Sequence, residues 1–383
     1  MAKMFYASAV FRLDLFISLS FLVAVLQALL GNLTDVNAFL LMPVYLSVFI
    51  FLFHKQLFLR LTPEVFFYMF SILLFVLVSL FSVFTLKEEF YYQIYFYLCF
   101  VSLYLVSSCL YLDSDKFVVF SVVLAIFFLI SLAIHIFFWE PVALLFYSKG
   151  NEFGGLLLDG NYHRLYSLLL NPLTTAFSSL FILATLMIVG IRNKFLYLLL
   201  SLLCFLAFSR TAILCLLLIW SVHLFTKKYY LTLVFVGITL LSFIVSNDQL
   251  FEIVSNVFMG TDKTGSADEH FLNLGIGSNF IFSFSGNGYV SATDFGGWNV
   301  RLESTPFQLA FTGGFFPFLF SLSVIFFSAY NLYVVKGCRA TLIFISVMPV
   351  YFFFPLHTFS FGVFAFCLLC NSWRFTIEGL KND

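Results

Sequence analysis

The chain has 383 residues, of which 62% are hydrophobic and only 10% are charged, whereas soluble domains carry roughly 25% charged residues. This composition excludes an ordinary soluble domain and predicts an all-α, polytopic integral membrane protein. The net charge is zero and no basic patch suits nucleic acid, so nucleic acid is excluded as a partner and the lipid bilayer is expected as one.

A helix that crosses a bilayer needs about 20 apolar residues, and division of the chain at its polar clusters predicts about twelve such spans. They cover residues 13–31, 37–54, 64–86, 90–111, 117–139, 171–190, 194–208, 211–226, 229–246, 305–333, 339–355 and 358–374. The seventh is short and the last three are closely spaced, so about eleven spans is the alternative. The first apolar run has no small-residue cleavage site after it, which predicts a retained helix and not a signal peptide.

The positions of lysine and arginine predict the orientation, because these residues concentrate on the cytoplasmic side of membrane proteins. With the N-terminus inside, the inner segments hold Lys3, Arg12, Lys55, Arg60, Lys116, Arg192, Lys194, Lys227, Lys228, Lys336, Arg339, Arg374 and Lys381. The outer segments hold Lys87, Lys149, Arg164, Arg210, Lys263 and Arg301. We therefore expect a multi-pass membrane protein with both termini in the cytoplasm.

Two predicted outer segments, 140–170 and 247–304, are too long to be simple connectors, and loops of this length are usually functional. Both are rich in Gly, Asn and Asp, so chemistry is expected on the outer face. The chain then divides into a five-helix membrane segment (1–139), a periplasmic loop (140–170), a four-helix segment with an SRTA turn (171–246), a large periplasmic loop (247–304) and a three-helix segment (305–383).

Three outer arginines stand at predicted helix ends. Arg164 lies in GNYHRLYSLLLNP, Arg210 in the FSRTA turn between two spans, and Arg301 in GGWNVRLESTPF just ahead of the tenth span. The predicted topology places all three on the same side of the membrane, where they can converge although they are distant in sequence.

Arg210 has the clearest local chemistry. Ser209 is expected to cap the eighth helix, whose free N–H groups and positive end favour an anion. A guanidinium at that position forms a fork that matches two phosphate oxygens. The alternative is that Arg210 only reaches to the lipid headgroups, but this turn is short and is expected to be sunk between hydrophobic helices.

Carboxylates and histidines of the outer loops are the candidates for acid–base chemistry. Glu303 directly precedes the tenth span, and Asp294 lies in a stretch with four glycines, SGNGYVSATDFGGW. Either could act as a general base toward a sugar hydroxyl, although Glu303 could equally form a structural salt bridge with Arg301. His270, in the polar group Asp268-Glu269-His270, is a further candidate for general base, whereas His163 is solitary, and a lone histidine at such a place is more often a hydrogen-bonded bystander.

The sequence lacks several motifs that mark metal-binding, nucleotide-binding and nucleophilic enzymes. The sequence has no HExxH, EF-hand, P-loop or GxSxG motif, and its cysteines show neither metal-site spacing nor a disulfide framework. No metal site and no cofactor are predicted. Outer cations beside apolar helices suit a lipid-linked diphosphate as substrate.

The order of these motifs resembles the bacterial O-antigen polymerase (Wzy) and O-antigen ligase superfamily. A loop with an arginine leads into a helix that begins with Asn-Pro, and a short span and the SRTA motif follow. A large loop that contains GxG then ends in Glu-Ser, ahead of a helix with a pair of glycines. The resemblance covers residues 150–320. It implies a GT-C-like glycosyltransferase that uses undecaprenyl-diphosphate-linked oligosaccharide on the periplasmic face, with a chain-length regulator as a further partner. It also implies that Arg164 and Arg210 are the outer-loop arginines of the family.

The resemblance favours a polymerase over a ligase. Ligases of this family have a histidine shortly before the helix that follows the large loop, whereas this chain has Glu303 and Ser304 there and its nearest upstream histidine is His270. The family's arginine in the large loop is represented only by His270 or Arg301. Outside the family, a lipid-linked oligosaccharide transporter and a scaffold protein without catalysis are the alternatives.

Overall fold

The computed structural model describes residues 22–23, 26, 114–137, 157–158, 162–163, 172–207, 209–226, 304–354 and 360–375. These residues are almost entirely helical, which agrees with the predicted all-α class. The helices are α1 (Ser114–Phe137), α2 (Pro172–Val189), α3 (Lys194–Leu206), α4 (Arg210–Thr226), α5 (Thr305–Gly313), α6 (Phe315–Lys336), α7 (Cys338–Ser346), α8 (Met348–Phe353) and α9 (Ser360–Cys370), followed by a 3₁₀ turn, Ser372–Arg374.

Five predicted spans coincide with single helices to within a few residues. The spans 117–139, 171–190, 194–208, 211–226 and 358–374 fall on α1, α2, α3, α4 and α9 with its 3₁₀ turn. The spans 37–54, 64–86, 90–111 and 229–246 lie outside the described residues, as does nearly all of 13–31.

The prediction of one continuous span over 305–333 is wrong, because the chain folds back at Gly314. This residue has φ 79°, a conformation that glycine adopts without strain. The ring centroids of Phe307 in α5 and Phe318 in α6 are 6.1 Å apart, whereas eleven residues of straight helix would separate them by roughly 16 Å. Helix α5 therefore packs against the first turns of α6 instead of extending it.

The predicted span 339–355 is likewise two helices, α7 and α8, with a break at Val347. Pro349 stands in the first turn of α8 and has no N–H to donate to the carbonyl four residues earlier. The chain makes tighter bonds on either side of the break, from Val347 N–H to Phe344 O and from Val350 N–H to Val347 O, both of 3.2 Å.

Helix α2 is the centre of the described fold. Its side chains from residue 174 to residue 189 are all buried, and it packs against α3, α4, α7 and α9. A helix that is apolar all round is expected in such a position. The rings of Phe181 and Phe366 lie 5.4 Å apart and join α2 to α9.

Helices α3 and α4 form an antiparallel hairpin that two contacts define. Trp220 donates to the Ser201 hydroxyl over 2.9 Å, and the Cys204 thiol lies 3.7 Å from the Ala212 carbonyl. Helices α7 and α8 run antiparallel to α4, because Arg339 contacts His223 while the backbone of Val350 contacts Cys215.

These contacts sort the helix termini into two groups, which we call the Arg210 end and the Arg339 end. The Arg210 end comprises the starts of α2, α4 and α5 and the ends of α3 and α8. The Arg339 end comprises the end of α2, the start of α3, the end of α4, the junction of α6 and α7, and the 3₁₀ turn, where Lys336 donates to the Phe375 carbonyl over 2.7 Å.

In the described part of the chain, Phe315–Lys336 is the one helix long and apolar enough to cross a bilayer by length and composition. Shorter apolar stretches of 10–17 described residues are Phe117–Ile130 in α1, Leu173–Val189, Lys194–Leu206, Arg210–Phe225, Cys338–Phe353 and Phe361–Cys370. Large apolar side chains nevertheless point outward from several helices, including those of Phe195, Leu198, Leu217, Phe225, Phe326 and Val334.

Candidate functional site

Ser209 and Arg210 form the start of α4. The Ser209 carbonyl accepts the first helical hydrogen bond, from Ile213 N–H at 2.9 Å, and its hydroxyl accepts from Ala212 N–H at 3.4 Å. Ser209 is thus the N-cap that its residue type and position predict. Arg210 is the first residue of the helix, where the remaining N–H groups and the helix dipole give a positive potential.

The expectation that the SRTA turn is buried between helices is confirmed for the residues next to Arg210 but is wrong for the Arg210 side chain. Ala207 and Ser209 are buried, whereas the Arg210 side chain is exposed. The polar head of Arg210 is therefore within reach of a soluble or interfacial group.

The start of α5 joins the same end of the fold. The Thr305 hydroxyl donates to the Phe354 carbonyl over 2.6 Å, and the Phe354 ring lies 4.7 Å from that of Phe177 in α2. Phe354 therefore connects the first turn of α5 to the first half of α2.

Three buried hydroxyls near this junction have no hydrogen-bond partner within the described residues. They belong to Ser178 and Ser179 in α2 and to Ser304, the N-cap of α5, and each residue is 0% exposed. Buried polar groups are nearly always paired. None of the three is among the residues predicted for the site, although the TTAFSS cluster at residues 174–179 is a polar interruption of a predicted span and could have indicated a polar interior.

Most of the predicted site residues lie outside the described part of the chain. This holds for Glu303, Asp294, Arg164, Arg301 and His270, so their convergence on Arg210 stays a prediction. Among the residues proposed for diphosphate binding, Arg210 is the one whose position is described.

His163 lies in a short strand within the first predicted outer loop. Strand β1 (Leu157–Leu158) pairs antiparallel with β2 (Tyr162–His163), with Leu157 opposite His163 and Leu158 opposite Tyr162. The ladder reverses the chain immediately before the position of Arg164.

The electrostatics of the described residues are dominated by cations. None of the side chains that the structure describes is an aspartate or a glutamate, and in this part no three His, Cys, Asp or Glu residues come together as metal ligands would. Arg192, Lys194, Lys336, Arg339 and Arg374 lie at the Arg339 end. Arg210 lies at the other.

No known family model matches the chain, and no curated protein matches it in sequence.

Proposed function

We propose that the chain is a polytopic inner-membrane glycosyltransferase that polymerises a surface polysaccharide. It transfers a growing glycan from undecaprenyl diphosphate to a lipid-linked repeat unit on the periplasmic face. The composition and the outward-facing apolar side chains of α3, α4 and α6 support a bilayer environment, because exposed apolar surface of this extent marks contact with lipid or a partner.

The observation that carries the proposal is the position of Arg210. It is exposed at a Ser209-capped helix start, at the opposite end of the fold from Arg192 and Arg339. A cation at a helix N-terminus is disfavoured by the helix dipole by about 0.3–1 kcal/mol, whereas an anion bound there is attracted both by the dipole and by the guanidinium. Lys194 occupies the matching position at the Asn193-capped start of α3, but at the end of the fold that the sequence assigns to the cytoplasm.

In the proposed reaction, a hydroxyl of the acceptor sugar attacks the anomeric carbon of the growing glycan. The bond from that carbon to the diphosphate oxygen breaks, and negative charge develops on the diphosphate. Arg210 and Arg164, with Arg301 as a third candidate, stabilise this charge more in the transition state than in the ground state. Fixed guanidinium groups take the role that a divalent cation has in many transferases, so the proposal needs no metal.

A carboxylate accepts the proton of the attacking hydroxyl in this scheme. Glu303 is the first candidate, because in the sequence it directly precedes Ser304, the N-cap of α5. Asp294 is the second. His270 and His163 are weaker candidates from the same loops.

The alternative activities use the same lipid-linked substrate. A ligase transfers the finished glycan to lipid A-core, and a transporter moves the lipid-linked oligosaccharide across the bilayer without breaking a bond. The residues Glu303-Ser304-Thr305, in place of a histidine ahead of the helix, favour the polymerase.

The test is a complementation assay in the strain that makes the polysaccharide, with chain length read from gels. Arg210→Ala is expected to abolish long chains while the protein stays in the membrane. Arg210→Lys distinguishes the two modes of contact: partial rescue indicates that charge suffices, and no rescue indicates bidentate binding.

Lys194→Ala is the matched control, because it removes a cation from an equally capped helix start at the other end. Normal chain lengths are expected for this variant. Normal chain lengths in Arg210→Ala would reject the proposed function. Accumulation of lipid-linked repeat units on the cytoplasmic side in that variant would instead indicate a transporter.

A further inference from the structure

Helices α4 and α7 meet at a polar contact inside the Arg339 end. Arg339 donates from Nη2 to Nδ1 of His223 over 2.8 Å, and His223 is 6% exposed. The Nε of Arg339 is also buried and finds no hydrogen-bond partner in the described residues. Within the described residues, this permanently charged guanidinium thus has one hydrogen-bond acceptor, the imidazole of His223.

A second guanidinium, that of Arg192, acts on the same tyrosine as Arg339. The Tyr197 hydroxyl donates to the Ile191 carbonyl, the Tyr197 ring lies 6.0 Å from that of His223, and both Arg339 and Arg192 interact electrostatically with Tyr197. Arg192, next to Ile191 in the α2–α3 turn, is exposed. Two like charges therefore approach the same aromatic cluster.

None of the side chains that the structure describes is a carboxylate that could balance these charges. The start of α7 adds positive potential, because Gly337 is its N-cap and no side chain caps it. A Cβ placed on Gly337 would meet nothing within 4 Å, so the backbone here is open to a ligand. Helix N-termini with open N–H groups and nearby guanidinium groups are suited to phosphate.

We propose that Arg192, Arg339 and the N-terminus of α7 bind the phosphate of an anionic phospholipid of the inner leaflet. The proposal rests on the proposed membrane location, but not on glycosyl transfer. A lipid is favoured over a soluble phosphate because apolar side chains, including Phe195 and Leu198 at the start of α3, point outward beside the cations. A diacyl chain can lie along that surface while its headgroup meets the guanidinium groups.

The experiment measures binding of phosphatidylglycerol to the purified full-length protein in neutral detergent, by native mass spectrometry. The double variant Arg192→Gln/Arg339→Gln is expected to lower the affinity by at least about tenfold. Arg192→Gln alone, at an exposed position, is expected to lower it measurably and keeps the test decisive if the double variant does not fold.

Lys194→Gln is the matched control, because it removes an equal charge two residues from Arg192 at the same end. Its affinity is expected to stay within about twofold of the wild type. An equal loss in Lys194→Gln, or no loss in the Arg192 variants, would overturn the proposal in favour of diffuse attraction.

Binding measurements with two further ligands distinguish an anionic lipid headgroup from a soluble phosphate. Phosphatidylcholine is expected to bind more weakly than phosphatidylglycerol, and inorganic phosphate is expected not to displace the lipid. Equal binding of both lipids would overturn the preference for an anionic headgroup, and displacement by inorganic phosphate would reassign the site to a soluble anion. Because no glycan is involved, each of these failures leaves the glycosyltransferase proposal standing.

Discussion

Arg339 and His223, which are 116 residues apart in sequence, are joined by a hydrogen bond of 2.8 Å between Nη2 and Nδ1. A guanidinium can only donate, so the imidazole nitrogen must accept. His223 is therefore neutral and carries its proton on Nε2. Its ring also lies 5.7 Å from that of Trp220, which fixes it at the end of α4.

This relationship predicts the effect of replacing the histidine. His223→Phe keeps an aromatic ring but leaves Nη2 of Arg339 without its acceptor, which is expected to destabilise the fold by about 1–3 kcal/mol. His223→Asn retains an acceptor near the position of Nδ1 and is expected to lose less. The measurement is the midpoint of thermal unfolding in detergent, followed by tryptophan fluorescence. Equal losses in the two variants would show that ring packing, and not the hydrogen bond, is what matters.

The sequence predicts the helices of this fold better than their interruptions. The start of α2 at Pro172 and the start of α4 at Arg210 follow from residues with a fixed local effect, proline at a first helical position and serine at a cap. Gly314 falls inside a predicted span because the residues on both sides of it are apolar, so hydrophobicity alone does not indicate that the chain reverses there. Pro349 indicates the second break, but the hydrophobicity is continuous across it and predicts a single span.

The polar contacts between helices could not be predicted from the sequence. The pairing of Arg339 with His223 and that of Thr305 with Phe354 depend on which helix faces are adjacent, and periodicity alone does not determine this. For the candidate site, the cap at Ser209 was predictable because it is local. The exposure of Arg210 was not, since it depends on how α3 and α4 turn relative to their neighbours.

The buried serines allow a prediction on stability. The Ser328 hydroxyl is buried and donates to the Val324 carbonyl over 2.6 Å, whereas the equally buried Ser178 hydroxyl has no partner in the described residues. Ser178→Ala is expected to be neutral or stabilising, by up to about 1 kcal/mol, and Ser328→Ala is expected to cost about as much as one net hydrogen bond, ~1 kcal/mol.

The same unfolding midpoints test this pair, with Ser121→Ala as a second paired serine, since its hydroxyl donates to the Phe117 carbonyl over 2.7 Å. Destabilisation by Ser178→Ala comparable to that by Ser328→Ala would show that the Ser178 hydroxyl has a partner in solution. Loss of polysaccharide in a stable Ser178→Ala protein would instead place this hydroxyl in the substrate path.

The Arg210 end and the Arg339 end are expected to face opposite sides of the membrane, and the accessible thiol of Cys338 makes this testable. Cys338 is exposed next to Arg339, whereas Cys204, Cys215, Cys367 and Cys370 are buried. With Cys99 and Cys109, which lie outside the described residues, replaced by serine, a membrane-impermeant maleimide is expected to label Cys338 in inside-out vesicles but not in spheroplasts. Arg210→Cys, in a background that also carries Cys338→Ala, is expected to show the reverse. Labelling of both positions from one side would contradict a membrane-crossing arrangement of α4 and α7, and with it the assignment of Arg210 to the periplasmic face.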